Sequence, residues 1–199
     1  MLRILLAGYI GTSEARRPFE IAEGGKPSLA TRTNPPLQFS LAHGDTAAII
    51  AVSFDGPIGV DLETPRHVRI AEHRRHALIA AAASLHPERP LPTTPEDACF
   101  LQAWTRLEAL AKATGEGIGA VLERVRRDET PIARTTISNR PVHVRDVTVG
   151  LASPIYAAVA GTAASIAAAR HLEALPVPLE RSWLEHWLAG DGSRGGLEA

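Results

Sequence analysis

Three short apolar runs lie close together in the first third of the chain. They cover residues 37–42, 46–54 and 58–63, and turn-forming triplets at residues 43–45 and 55–57 separate them. Apolar runs of this length, bounded by Gly, Pro and Asp, are typical of β-strands joined by tight turns. The pattern therefore predicts a three-stranded antiparallel meander.

Helical patterns precede and follow these runs. Residues 2–10 and 66–86 favour helices, and residues 96–115 carry the strongest helical pattern, which Gly115 ends. Between the first helix and the strands, residues 20–36 are rich in Gly, Pro and Thr, so a loop is predicted there.

A second set of strands fills the later part of the chain, at residues 120–127, 142–150 and 153–161. The order of elements predicts an α+β fold of two similar halves, each with a helix and a three-stranded antiparallel sheet. Residues 41–49 and 151–159 agree at four positions, which is consistent with a repeat. Two related halves would form a cleft between them.

These elements suggest three divisions of the chain. We expect an N-terminal half at residues 1–63, a C-terminal half at residues 64–175, and a C-terminal helix and tail at residues 176–199. Trp183 and Trp187 lie on that last helix, and we expect both to pack on the body of the protein.

Composition narrows the class of protein. With 199 residues, 45% of them hydrophobic, and a formal net charge of -1, the chain fits a soluble globular protein with no global reason to bind nucleic acid or an acidic membrane. The single cysteine, Cys99, excludes an internal disulfide framework, is typical of the cytoplasm and is expected to pack as a small apolar residue. The apolar start of the chain is too short to cross a bilayer and predicts a helix instead of a signal peptide.

Two carboxylates interrupt the third apolar run. Asp61 and Glu63 are two residues apart, so on a strand both side chains would point to one face. Like charges that close repel each other unless a cation lies between them, and a divalent cation with oxygen ligands would be one such cation. The alternative is that the strand ends there and that both acids face solvent.

The long predicted helix carries a third carboxylate. Trp104, Glu108 and Lys112 are spaced by four residues and therefore share one face. Glu108 and Lys112 lie beside the apolar face, where the carboxylate could complete a cation site and the lysine could meet a bound anion. The alternative is an exposed Glu–Lys pair beside a half-buried tryptophan.

Together these segments resemble a known family. IGVDLE at residues 58–63, followed by FLQAWTRLEALAKATGEGIG from residue 100 onwards, is similar to the signature of the Sfp-type 4′-phosphopantetheinyl transferases. That signature is a G-V/I-D-x-E strand followed by a W-S/T-x-K-E-A/S-x-x-K helix. Gly25-Lys26-Pro27 and the strand that ends at His43 resemble two further motifs of the family. Leu107 is a departure, because family members usually have lysine immediately before the glutamate.

The resemblance implies an enzyme. The reaction would be Mg²⁺-dependent transfer of 4′-phosphopantetheine from coenzyme A to a serine of an acyl or peptidyl carrier protein, with release of adenosine 3′,5′-bisphosphate. Asp61, Glu63 and Glu108 would be the Mg²⁺ ligands. Glu108, directly or through a water that it orients, would act as the base, and Lys112 would be the second catalytic residue.

The resemblance also implies how coenzyme A binds. The fold would be an N-terminally short member of the 4′-phosphopantetheinyl transferase fold, with coenzyme A between its two α+β halves. His43 and Lys112 would contact the phosphates of coenzyme A, while Lys26 and Pro27 would line its adenine and ribose-phosphate end.

The implied partner is a carrier protein, and the enzyme is expected to be a monomer. Carrier proteins of this kind are typically acidic, so a basic surface would attract them. The segment that follows the predicted metal strand contains Arg66, Arg69, Arg74 and Arg75, which we expect to form the docking surface. The alternative is a solvated helix face.

Two other functions remain open. One is a noncatalytic relative that keeps the fold and binds coenzyme A or a carrier protein. Retention of three carboxylates argues against it, because clustered negative charge is unfavourable without a role. The other is a Mg²⁺-dependent phosphate hydrolase, which would consume coenzyme A without a carrier.

Overall fold

Helices and strands alternate along the chain in the computed structural model. The described residues are 2–22, 24–44, 47–91, 96–127, 132–148 and 154–167. The helices within them are α1 (Leu2–Ile10), α2 (Thr12–Ala15), α3 (Glu72–Ser84), α4 (Asp97–Thr114), α5 (Gly117–Arg127) and α6 (Ala163–Ala167). The strands are β1 (Phe19–Ile21), β2 (Pro27–Leu29), β3 (Gln38–His43), β4 (Ala48–Ser53), β5 (Ile58–Glu63), β6 (Thr136–Ile137), β7 (Arg140–Asp146) and β8 (Tyr156–Thr162). The predicted α+β class is confirmed.

The predicted meander is confirmed for its first two strands and is wrong for the third. β3 pairs antiparallel with β4, whereas β5 pairs antiparallel with β8, in a sheet whose order is β5-β8-β7-β6 over the described residues. Both β5 and β8 are buried along nearly their whole length, which favours a pairing in the interior. β3 still lies beside β5, because the Ser40 hydroxyl oxygen accepts the Val60 backbone N–H at 3.1 Å. A side chain therefore satisfies a backbone group at the outer edge of β5.

The sheet that contains β5 is covered on both faces. On one face, Val144 and Ala158 belong to the main core, which α3, α4 and α5 complete. On the other face, Val60 and Val159 form a smaller core, against which Ile49 of β4 packs. β5 is thus held between the helical layer and the β3–β4 hairpin.

The strand predicted at residues 120–127 is wrong, because this segment lies in α5. Val121 is buried in the main core, and Ile118, Leu122 and Val125 pack against it. Their spacing of three and four residues is that of one helix face. The β-branched residues of the segment suggest a strand, but the helical period is the signal that agrees with the structure.

The loop predicted at residues 20–36 contains a short antiparallel hairpin, formed by β1 and β2. Phe19 at the start of β1 packs against Phe39 of β3, with their ring centroids 5.7 Å apart. This aromatic contact anchors the hairpin on the body of the protein, and composition alone does not show it. Residues 30–36 contain neither helix nor strand, as predicted.

The other predicted elements are confirmed with small changes of boundary. α3 begins at Glu72, later than the predicted start at residue 66. α4 ends at Thr114, and Gly115 has a φ of 79°, the left-handed conformation for which glycine is favoured after a helix. β7 and β8 overlap the segments predicted as the last two strands, but β7 begins two residues earlier, at Arg140, and β8 ends one residue later, at Thr162.

Several expectations concern residues beyond the described ranges. The helix predicted after Pro176, with Trp183 and Trp187, lies outside them, and so does part of the proposed repeat at residues 151–153. The boundaries of the two halves stay a prediction. Cys99 is buried, as expected. Among the helices that the structure describes, none is long and apolar enough to cross a membrane.

Candidate active site

One cleft collects most of the residues singled out in the sequence. Its volume is about 540 Å³, and three elements contribute side chains to it. These are His43 from the end of β3, Asp61 and Glu63 from β5, and Trp104, Glu108 and Lys112 from α4. The three carboxylates, which are distant in sequence, therefore line the same space.

Gly59 explains why α4 lies so close to the carboxylates of β5. A Cβ atom at Gly59 would lie 2.9 Å from the Lys112 carbonyl carbon, and closer still to the Ala109 carbonyl oxygen and the Ala113 amide nitrogen. Real Cβ atoms essentially never come so near to backbone atoms. The helix therefore contacts the strand backbone where glycine leaves room. Asp61 is two residues further along β5, so its side chain lies on the same face, next to α4.

The carboxylates of β5 are held by cationic side chains. The Lys112 ammonium donates to an Asp61 carboxylate oxygen at 2.7 Å, and Asp61 is only 7% exposed. Burial raises the pKa of the Asp61 carboxyl, and the Lys112 charge opposes that rise. Glu63 accepts two hydrogen bonds from the Arg66 guanidinium, at 3.0 and 3.2 Å.

Glu108 stands in an environment that disfavours its charged form. Burial raises the pKa of its carboxyl, the nearby charge of Asp61 raises it further, and Glu63 adds a smaller contribution. Lys112 opposes these effects. A cation placed among the three carboxylates would stabilise all of them as anions.

The donor chemistry of the cleft fits a hard divalent cation. Carboxylate oxygens are the ligands that Mg²⁺ prefers, and Asp61, Glu63 and Glu108 all offer them to one cleft. Among the residues that the structure describes, however, no group of three or more His, Cys, Asp or Glu side chains lies close enough together to hold a metal ion. Asp61 and Glu63 are instead turned to Lys112 and Arg66. The assignment of these three residues as Mg²⁺ ligands stays a prediction.

Lys26 and Pro27 are not among the residues that line this cleft. The Lys26 ammonium donates to the Ile58 carbonyl at the start of β5, at 2.8 Å, and burial lowers the pKa of Lys26 to about 8. Gly24 of the same loop lies against the backbone of Gly115, after the end of α4. The loop therefore bridges the ends of the two elements that carry the cleft residues. Its expected contact with the nucleotide stays a prediction.

A buried ion pair attaches α4 to the sheet, and the sequence did not reveal it. Arg106 is fully buried, and its guanidinium donates to both oxygens of Asp146 on β7, each at 2.7 Å. Gln102 donates to the same carboxylate at 2.9 Å. Because the partners are forty residues apart along the chain, no local pattern indicates the pair. It holds the helix that carries Glu108 in place.

Leu107, which stands where family members usually have lysine, points into the protein interior and not into the cleft. Leu107 is fully buried and belongs to the main core. Its neighbour Trp104 lines the cleft and stacks on Phe100, with ring centroids 6.1 Å apart. The cationic side chains that line the described cleft are those of Lys112 and Arg66, and the imidazole of His43 lines it as well.

The predicted arginine surface needs one correction. Arg75 is buried: it donates to the Val68 carbonyl at 2.6 Å and to an Asp97 carboxylate oxygen at 3.0 Å, so it is a structural residue of the interior. Arg69 and Arg74 are exposed. Arg66 is exposed as well, but it pairs with Glu63 at the rim of the cleft.

Comparison with known proteins identifies the family of this chain. The family model of the 4′-phosphopantetheinyl transferase superfamily matches residues 57–164, a segment that includes β5 and α4. The chain belongs to this superfamily, and the family predicted from the sequence motifs is confirmed.

Individual relatives carry the same name. The 4′-phosphopantetheinyl transferase HetI of Nostoc sp. is 34% identical over 144 residues, which are 71% of this chain and 59% of HetI. The 4′-phosphopantetheinyl transferase AcpT of Salmonella typhi is 32% identical over 139 residues, 67% of this chain and 68% of AcpT. The 4′-phosphopantetheinyl transferase psf-1 of Bacillus pumilus is 31% identical over 100 residues, 50% of this chain and 40% of psf-1. The chain thus spans about three fifths of the length of HetI.

Proposed function

We propose that the protein transfers 4′-phosphopantetheine from coenzyme A to a serine of an acyl or peptidyl carrier protein in the cytoplasm. One observation carries the proposal: three carboxylates, Lys112 and His43 line a single cleft in a chain that belongs to the transferase superfamily. A cleft with both anionic and cationic groups suits a phosphate substrate that is bound together with a metal ion.

The reaction requires removal of a proton and stabilisation of charge. The serine oxygen forms a bond to the phosphorus that bears the pantetheine. The bond from that phosphorus to the bridging oxygen breaks, and adenosine 3′,5′-bisphosphate leaves. Glu108 accepts the serine proton, directly or through a water, since its carboxyl lines the cleft. Lys112 and His43 balance the negative charge that grows on the leaving phosphate.

The metal ion of this reaction is Mg²⁺ in our proposal. Asp61, Glu63 and Glu108 would hold it, and it would neutralise the phosphate oxygens of coenzyme A. The adenine and ribose-phosphate end would lie toward Lys26 and Pro27, an assignment that the Gly25-Lys26-Pro27 motif supports. Lys26→Ala should then weaken the binding of coenzyme A more than that of dephospho-coenzyme A, and equal losses would contradict the contact.

The carrier protein docks, in our proposal, on a surface defined by Arg69 and Arg74. Both arginines are exposed, and both follow β5 closely in sequence. Arg66 lines the cleft and precedes both arginines along the chain. An acidic carrier would be attracted by these charges.

Mass spectrometry of the carrier tests the function directly. The protein is incubated with coenzyme A, Mg²⁺ and a set of apo acyl and peptidyl carrier proteins, and the carrier should gain the mass of one phosphopantetheine group. Asp61→Asn and Glu108→Gln should raise the Mg²⁺ concentration that half-maximal transfer requires, while Gly119→Ala is a control on an exposed helix position. Consumption of coenzyme A without a modified carrier would indicate a hydrolase. Binding of coenzyme A without turnover would indicate a noncatalytic relative.

A further inference from the structure

The chain contains only two lysines, and both have an amine bound to an oxygen atom of β5. Lys26 donates to the Ile58 carbonyl at 2.8 Å. Lys112 donates to the Asp61 carboxylate at 2.7 Å. The two contacts differ in kind, because Ile58 offers a neutral backbone group, whereas Asp61 offers a charge and is one of the three carboxylates that line the cleft.

Asp61 is the more enclosed of the two carboxylates on β5. Its side chain is 11% exposed, against 20% for that of Glu63, and its partner Lys112 is 29% exposed, against 51% for Arg66. An enclosed carboxylate is unfavourable unless a cation compensates it. Lys112 is therefore the counter-ion of the innermost charge in the cleft.

A divalent cation needs the same carboxylate. The Asp61 carboxylate, one oxygen of which now accepts from Lys112, would have to turn to the metal ion, and an ammonium group left beside that ion would be repelled by it. The lysine side chain can move, because four flexible carbon atoms separate its charge from the backbone. Since Lys112 lies on α4 and lines the cleft, a shift of its amine keeps it within the same space.

We propose that Lys112 is an exchangeable counter-ion. In the metal-free protein its ammonium group neutralises Asp61. When Asp61 binds a divalent cation, the ammonium group moves away from Asp61 and contacts the diphosphate of the substrate. This inference rests on the proposed function, and it adds a role for Lys112 before substrate binds. Lys112 competes with the cation for Asp61 and is then released in the position where an anion needs it.

Two consequences follow from the exchange. Metal binding alone is weakened by the competition, and metal and diphosphate strengthen each other's binding, because each favours the state in which Lys112 has left Asp61. Such coupling is reciprocal, so coenzyme A should raise the affinity for Mg²⁺ by the same factor by which Mg²⁺ raises the affinity for coenzyme A. Lys112→Met should remove the competition and reduce the coupling.

Nuclear magnetic resonance can follow the exchange without any turnover. The full chain, labelled with ¹³C only in lysine, should show two ε-methylene signals, because the sequence holds two lysines. Lys112→Arg assigns them. Titration with Mg²⁺ in the absence of coenzyme A should shift the Lys112 signal, while the Lys26 signal keeps its position as an internal reference. A Lys112 signal that does not move at saturating Mg²⁺ overturns the proposal.

Calorimetry provides the second measurement. In the absence of coenzyme A, Lys112→Met should bind Mg²⁺ about threefold to tenfold more tightly than the wild type. Lys112→Arg keeps the charge beside Asp61, so it should bind Mg²⁺ much as the wild type does. Equal affinities for the wild type and Lys112→Met overturn the exchange. A wild-type protein that modifies a carrier while its Lys112 signal stays fixed contradicts the exchange alone, whereas a lack of transfer to every carrier contradicts the proposed function.

Discussion

Replacing Gly59 with alanine tests the close packing of α4 against β5. The new methyl group would lie 2.9 Å from the Lys112 carbonyl carbon, and it would come closer still to the Ala109 oxygen. Carbon atoms in contact are normally about 3.5–4.0 Å apart, so α4 would have to withdraw from β5 by about 1 Å. The atoms that block the methyl group are backbone atoms, which cannot turn aside as the end of a side chain can.

The expected loss has a structural and a functional part. Overpacking of this kind costs about 1–3 kcal/mol, and for a chain of this size each kcal/mol lowers the melting temperature by about 2–4 °C. Withdrawal of the helix would also move Glu108 of α4 away from Asp61 and Glu63 of β5, and so would separate the three proposed Mg²⁺ ligands. Gly59→Ala should therefore unfold about 2–12 °C below the wild type in circular dichroism and need more Mg²⁺ for transfer.

Gly119→Ala is the matched control for this substitution. Gly119 lies in α5, and a Cβ atom there would meet no atom within 4 Å. Alanine at an open helix position stabilises by about 1 kcal/mol relative to glycine, so this variant should unfold at or slightly above the wild-type temperature. If Gly59→Ala matches the wild type in both melting temperature and Mg²⁺ dependence, the packing argument is wrong.

Three further predictions concern other parts of the molecule. Arg106→Met should lower the free energy of unfolding in urea by about 3 kcal/mol, because it leaves the Asp146 carboxylate with the more exposed and more distant Arg89, at 3.8 Å, as its cation, and an unchanged midpoint would contradict this. Burial lowers the pKa of Lys26 from 10.5 to about 8 in the folded chain. Between pH 8 and pH 10.5 the unfolded chain therefore binds more protons than the folded chain, so the free energy of unfolding should rise by up to about 3 kcal/mol as the pH increases through this range. Lys26→Met should lack that rise in urea midpoints measured across the same pH range, and the same rise in both proteins would assign it to another group. Changing Arg69 and Arg74 together to Glu should lower kcat/KM for the carrier at low salt, less so at high salt, and leave coenzyme A affinity unchanged; equal carrier kinetics would remove the docking surface.

The sequence was sufficient for the family and for most of the cleft. In residues 58–63 and in the helix around Trp104, the charged residues of the cleft occur at short, regular spacings, and such local patterns can be recognised without knowledge of the fold. The resemblance then linked Asp61 and Glu63 with Glu108, and the structure brings all three to one cleft. Local signals also predicted the helices and most strands, since hydrophobic period and turn residues act over a few positions.

The sequence-based predictions were wrong where two local signals compete and where the exposure of a side chain had to be inferred. The segment at residues 120–127 has the β-branched residues of a strand and the spacing of a helix, and packing against the main core favours the helix. Arg75 belongs to a basic stretch that predicts a solvated face, but its partner Asp97 begins the next helix, and the contact between them buries the guanidinium. Charge along the chain cannot tell which arginine turns inward.

By itself, then, the sequence determined the family, the α+β class and the types of side chain in the cleft, because these depend on motifs and periods within short segments. Only the tertiary structure decided that β5 pairs with β8, that Gly59 lets α4 contact the strand, and that Lys112 pairs with Asp61. Each of these contacts joins residues about 50 to 100 positions apart, and each depends on which faces are buried together. The free energy of those contacts comes from burial and from the pairing of charges away from water, and neither can be assigned to a residue until its neighbours in space are known.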